Sequence, residues 1–105
     1  MEQIILTDYI DRKLKELIEI LYQKEYFGFK SSSVNYVNKI YDFISNISSK
    51  RKYNCKNTKY EKKYVILKMN STTTYFITFD FEGDLFIVKN IFNNHEMGYS
   101  NYIKD

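Results

Sequence analysis

The spacing of apolar residues changes period once along this chain, and that change narrows the fold more than any motif does. Over 8–26, Ile10, Leu14, Leu17, Ile18, Leu21 and Tyr22 recur every three or four residues, so a helix would gather them on one face. Thr7 or Asp8 can cap its start by accepting from the first free amides. Gly28 can end it in the left-handed conformation. A second helix is expected over 33–47, capped by Ser32 or Ser33, with Val37, Ile40, Tyr41, Ile44 and Ile47 as its apolar stripe. The gap between them is short, so the two should pack as an antiparallel hairpin.

After Ser48 the helical period is lost through a linker at 48–63. Alternation follows, with strands expected over about 64–70, 73–81 and 85–92. Glu82-Gly83-Asp84 should turn the last two into a hairpin, the glycine taking a positive φ. Part of 51–60 could add an edge strand. Neither helices nor sheet can hide an apolar side alone. The expected fold is therefore α+β: an N-terminal antiparallel helix hairpin packed on one face of a three- to four-stranded antiparallel sheet, as one domain over 1–105.

Register assigns the faces. Tyr75, Ile77, Phe79 and Phe81 should point to the core, and Phe76, Thr78 and Asp80 away from it. In the last strand Lys89 and Asn90 interrupt two apolar faces. Adjacent residues point to opposite faces, so one of them should lean inward or sit near a strand end. A lysine that close to apolar surface must reach water or meet an anion.

Composition sets bounds. With 105 residues, 44% hydrophobic and 18% aromatic, the chain can bury one real core. It has no apolar run long enough to span a membrane, and its start lacks the basic region and cleavage site of a signal peptide. Cys55 is the only cysteine, so no internal disulfide can form, and His95 has no second ligand at a metal-binding spacing. A cytoplasmic protein without cofactor is the simplest account. The net charge of +3 is uneven: 48–63 holds seven bases and one acid, while 1–47 and 64–105 are each slightly negative. A concentrated basic segment attracts phosphate, and Arg51, Lys52, Lys56, Lys62 and Lys63 are its candidate contacts. Tyr53 and Tyr60 lie among these cations and are the aromatics available to stack on bases. A solvated loop accounts for the same lysines, and core packing for most of the other rings.

The words "KKYVILKMNSTTTYFITFDFEGDLFIVKNIFNNH" add a resemblance. A helix pair, a basic linker and a meander carrying Thr73, Thr74, Tyr75 and Phe76, then Glu82, Gly83 and Asp84, then Ile91, Asn93, Asn94 and His95, resembles the RelE/ParE superfamily of bacterial toxins. The resemblance covers 34–95 by its local words and 1–33 by helix pattern. It implies a toxin of a type II toxin–antitoxin system. Such a toxin arrests growth either by ribosome-associated mRNA cleavage or by inhibiting DNA gyrase, and a cognate antitoxin neutralises it. Carried onto this chain, a metal-independent endoribonuclease would use His95 as general acid or base. Lys89 and Lys68 would neutralise phosphate, and Tyr99 or Tyr102 would donate a hydrogen bond or stack on a base. The only arginines are Arg12 and Arg51, so no strand supplies the forked phosphate clamp that RelE-like nucleases favour.

Two other classes remain open: a non-catalytic inhibitor that binds nucleic acid or protein, such as a phage might encode, and a small structural protein pairing with a partner helix. His95 itself, flanked by Asn93, Asn94 and Glu96, has the setting of a turn residue that closes the sheet and borders a site if there is one.

Overall fold

The computed structural model describes residues 3–23, 30–55 and 63–95. The expected Gly28 stop, Lys56, Tyr60, Lys62, Tyr99 and Tyr102 lie outside them. The elements run β1 (Gln3–Leu6), α1 (Asp8–Gln23), α2 (Lys30–Ser45), a short 3-10 turn (Ile47–Ser49), β2 (Tyr53–Asn54), β3 (Lys63–Lys68), β4 (Thr74–Glu82) and β5 (Leu85–Asn93). The strands form one sheet in the order β1-β5-β4-β3-β2.

The α+β class, the helix pair and the meander are therefore present, but the sheet differs from expectation. It has five strands and is mixed, because β1 runs parallel to β5. Gln-Ile-Ile-Leu is too short to display a period of its own, and its partners stand at the far end of the chain. β2 is the edge strand that 51–60 could supply, reduced to two residues.

One residue links β1 to α1. The Thr7 hydroxyl accepts from the Ile10 amide at 3.4 Å and its carbonyl from the Asp11 amide, which makes Thr7 the N-cap. Asp8 and Asp11 in the first turn complement the helix dipole. α2 begins at Lys30, so Ser32 and Ser33 lie inside its first turn rather than capping it. Asp11 near the start of α1 accepts from the Tyr41 hydroxyl, near the end of α2, at 2.8 Å, which places the helices antiparallel. Lys15 and Tyr41 donate to the Asp11 carboxylate and lower its pKa. Burial, then the bond to Asp11, pushes the Tyr41 phenol up to about 12. A phenol held protonated in the folded state adds stability in full below its unfolded pKa near 10 and loses it as pH rises through the folded value. Tyr41→Phe should thus delete one late step from the absorbance titration of the tyrosines. It should also flatten the fall in stability between pH 10 and 12; a wild-type curve from the variant would refute the pairing.

The core lies between the helices and one face of the sheet. Ile10 and Leu14 from α1 and Val37, Ile40 and Ile44 from α2 meet Val65, Ile77, Phe79, Val88 and Ile91 from the sheet, all at most 2% exposed. Each such side chain gains roughly 1.5–3 kcal/mol on burial. Tyr75, Ile77 and Phe79 face this core and Phe81 packs against it, as alternation requires. Gly83, with φ +58°, opens the two-residue turn of the β4–β5 hairpin.

Lys89 resolves the conflict in β5. Thr78 pairs with Asn90 but Phe79 pairs with Val88, so Lys89 is the extra residue of a β-bulge. The bulge resets the alternation: Phe86 and Val88 face the helices before it, and Ile91 after it. Lys89 and Asn90 both turn to the opposite side, where the ammonium meets Asp80 at 2.8 Å. That opposite side carries a second cluster of Cys55, Tyr64, Phe76 and Phe92, with Tyr53 packed against it. Beside Tyr64, Thr78 is fully buried, and its hydroxyl has no hydrogen-bond partner among the described residues. An unpaired buried hydroxyl costs about 1–3 kcal/mol, so Thr78→Val should raise the unfolding free energy by about 1 kcal/mol in urea denaturation. A loss of stability would show that the hydroxyl is satisfied.

Candidate functional site

The end of the sheet that holds His95 is built from two hydrogen-bonded turns. The Asn70 side-chain oxygen accepts from the Thr72 and Thr73 amides, both at 2.9 Å, and from the Thr72 hydroxyl. Asn94 clamps this turn to β5: its Oδ1 accepts from the Thr74 amide at 3.0 Å and its Nδ2 donates to the Thr72 carbonyl at 3.1 Å. Asn and Thr suit these positions because their short side chains can replace a backbone partner where the ladder stops. His95 follows, exposed, with its amide donating to Asn93 Oδ1 at 2.8 Å and its Nε2 lying 3.4 Å from the Thr73 hydroxyl. Lys68 stands opposite Thr74 on β3 and is exposed at the same end.

A cleft of about 430 Å³ opens beside this corner, between α1 and the sheet. Leu14, Leu17, Ile20, Tyr75 and Ile91 supply its apolar walls, and Lys13, Glu16 and Asn93 its polar groups. Lys13 spans it, its ammonium donating to the Ile91 carbonyl. Asn93 belongs to both the cleft and the His95 turn, so the two are continuous. Sequence reading missed Lys13 and Glu16. Their signal is polar side chains three residues apart, each directly followed by or close to the buried stripe of α1.

The other candidates do not converge on His95. Lys89 is bound to Asp80 in mid-sheet, roughly 15–20 Å from His95 along the strand direction. Lys63 pairs with Phe79 and donates to Asn54 Oδ1 at 2.8 Å, near the β4–β5 turn, about 16 Å from Lys68 along β3. Lys63 and Lys68 also point to opposite faces, since they stand five positions apart on one strand. The linker cations divide as well. Arg51 lies over the Tyr53 ring at 5.3 Å, on the side of Tyr64 and Phe76. Lys52 lies over Phe86, on the helix side, and donates to the Ser48 and Lys50 carbonyls. Lys50 covers Phe43 at 5.0 Å. Each of these cations rests on an aromatic face, a contact of about 0.5–1 kcal/mol at such sites.

Tyr53 stacks on Tyr64 at 5.3 Å, Tyr64 meets Phe76 edge-on, and Phe76 stacks on Phe92 at 5.9 Å. This row crosses β2 to β5 on the face away from the helices. Tyr64, Phe76 and Phe92 are buried, so their rings pack with one another and leave Tyr53 as the half-exposed member.

Among the described residues no group of three or more His, Cys, Asp or Glu side chains could hold a metal ion, and no helix is long and apolar enough to cross a membrane. Neither protein families nor curated proteins nor solved structures gave a significant match to this chain.

Proposed function

We propose that this chain is a growth-arresting toxin of the RelE/ParE type, cytoplasmic and neutralised by a cognate antitoxin, that acts by binding its target rather than by cutting mRNA. The toxin reading is supported by the order of elements, a helix pair followed by a meander on whose one face it lies. The quoted words also fall where the resemblance needs them: Thr74, Tyr75 and Phe76 open β4, Gly83 makes the turn, and Asn93, Asn94 and His95 close β5.

One observation carries binding over cleavage. The lysine assigned to phosphate, Lys89, closes on Asp80 half a strand away from His95. Strand cleavage needs a base, an acid and a positive group around one phosphate, within hydrogen-bond reach of each other. Inhibition of gyrase or occupation of the ribosome needs only a complementary surface. The ribonuclease keeps one supporting feature, Lys68, which stands at the same sheet end as His95.

Induction in bacteria separates these readings. The wild-type chain and the His95→Ala, Lys89→Ala double variant should arrest growth equally. Transcript ends should stay intact, and plasmid supercoiling should relax if gyrase is the target. Cleaved transcripts that vanish in a Lys68→Ala, His95→Ala variant would establish the nuclease instead. Undisturbed growth on wild-type expression would end the toxin reading altogether.

A further inference from the structure

The two edges of the sheet are unlike. β2 is two residues long, follows directly on Arg51 and Lys52, and pairs only with Lys63 and Tyr64, so the rest of that edge is residues 65–68 of β3, which ends on a lysine. β1 is longer, and Gln3-Ile4-Ile5-Leu6-Thr7 contains no charge, no proline and no bulge.

The free side of β1 can be read from its pairing. Gln3 donates to the Asp84 carbonyl and Thr7 to the Val88 carbonyl, so residues 3, 5 and 7 turn their amides toward β5. In a parallel ladder the alternate residues face the other way. Ile4 and Leu6 therefore present N–H and C=O groups to an edge at which no described strand pairs with them. Two further features lie along it. Ile5 is 40% exposed, on the face away from the helices. On the helix side a groove of about 430 Å³ runs between β1 and α2, lined by Ile4, Leu6, Tyr41 and Ile44, with Asp42 and Ser45 as its polar members.

We propose that β1 is a self-association edge, at which a second copy of this chain pairs antiparallel to continue the sheet across a two-fold axis through Ile5. The occupant follows from the pattern of the strand. Polar, apolar, apolar, apolar, polar reads the same in both directions about Ile5, as an isologous contact requires. With the axis there, Ile4 of one copy stands opposite Leu6 of the other on the helix side. These two positions carry the outward amides, so each pair exchanges both of its bonds, about four backbone hydrogen bonds in all. Ile5 meets Ile5 of the second copy as the close, non-hydrogen-bonded pair, which covers the exposed isoleucine. Gln3 falls opposite Thr7. Each groove then opens onto its symmetry mate, so Ile4 and Leu6 side chains remain among apolar neighbours. A four-residue edge is small for a dimer, so the association is weak and concentration-dependent.

Sedimentation equilibrium of the full chain across a micromolar series tests this. Wild type should show a reversible monomer–dimer equilibrium, and Ile5→Lys should raise its dissociation constant at least about tenfold by placing like charges on the axis. Ile5 lies outside the core, so the variant should keep the circular dichroism of wild type. A second measurement does not depend on that variant. Ile5→Cys places two thiols about 4.5 Å apart by Cα and should form a reducible covalent dimer at least about tenfold faster than Gln3→Cys, whose copies lie about 14 Å apart. A chain that stays monomeric throughout the series, a dimer indifferent to Ile5→Lys, or equal cross-linking at positions 3 and 5 would each overturn the proposal.

Discussion

Deleting Lys89 and Asn90 together should leave a chain that does not fold, whereas deleting Lys89 alone should cost at most about 1 kcal/mol. The contrast tests whether the bulge sets the register of β5. With Lys89 alone removed, Asn90 follows Val88 directly and stays on the face away from the helices, and Ile91 stays in the helix-facing core, so the strand alternates without interruption. What is lost is the ion pair: the ammonium and the Asp80 carboxylate are both partly exposed, 39% and 24%, and a pair of that kind contributes about 0–1 kcal/mol. With both residues removed, Ile91 follows Val88 and leaves the core, and Phe92 enters it from the opposite face. Removing a buried isoleucine costs about 2–5 kcal/mol, and forcing a larger ring into a filled core about 1–3 kcal/mol. Together these approach the whole stability of a small domain, about 5–15 kcal/mol. Circular dichroism and urea unfolding of the two variants would decide. Comparable stability in both would mean that the register is not pinned at this bulge.

Phe79→Ala should produce the largest loss of any single substitution, about 3–5 kcal/mol. Phe79 is fully buried, and its ring lies 6.3 Å from Phe81 and 5.9 Å from Phe86. It sits directly opposite the strand at the point where the bulge begins. The hole left by its ring could collapse only if β4 and β5 moved relative to one another, and the hairpin and bulge oppose that. Phe76→Ala, on the other face, removes a ring 9% exposed from a smaller cluster and should cost less. The urea midpoints should rank Phe79→Ala well below Phe76→Ala, and the reverse order would place the main core on the wrong side of the sheet.

The helices and the meander were legible because each repeats a period long enough to be recognised. Leu14 and Val37 mark the helical faces, and Ile77 and Phe79 the strand face. β1 was not legible, since four residues cannot establish a period and Ile4 and Ile5 suit a helix lead-in as well as a strand. The bulge escaped for another reason. Lys89 and Asn90 announce a conflict in β5, but only the pairing with Thr78 and Phe79 shows that the backbone absorbs it. For the site, the Asn94 clamp and the position of His95 after the last strand follow from turn chemistry. The splitting of Lys63 and Lys68 was readable in advance, because an odd separation within one strand sends two side chains to opposite faces. The bond between Lys89 and Asp80 needed the register as well as the charges.

Gln3 lies against Leu85, and β5, the strand that seats β1, is the last of the described elements to leave the ribosome. A nascent chain stopped before Leu85 has α1 and α2 but no slot for β1, and closing so long a loop costs entropy before any contact repays it. Closure of this sheet is thereby held back until β5 has been made. A partly made chain exposes an unfinished sheet, which is a target for chaperones and proteases, and activity that depends on the complete sheet begins only once synthesis has passed β5.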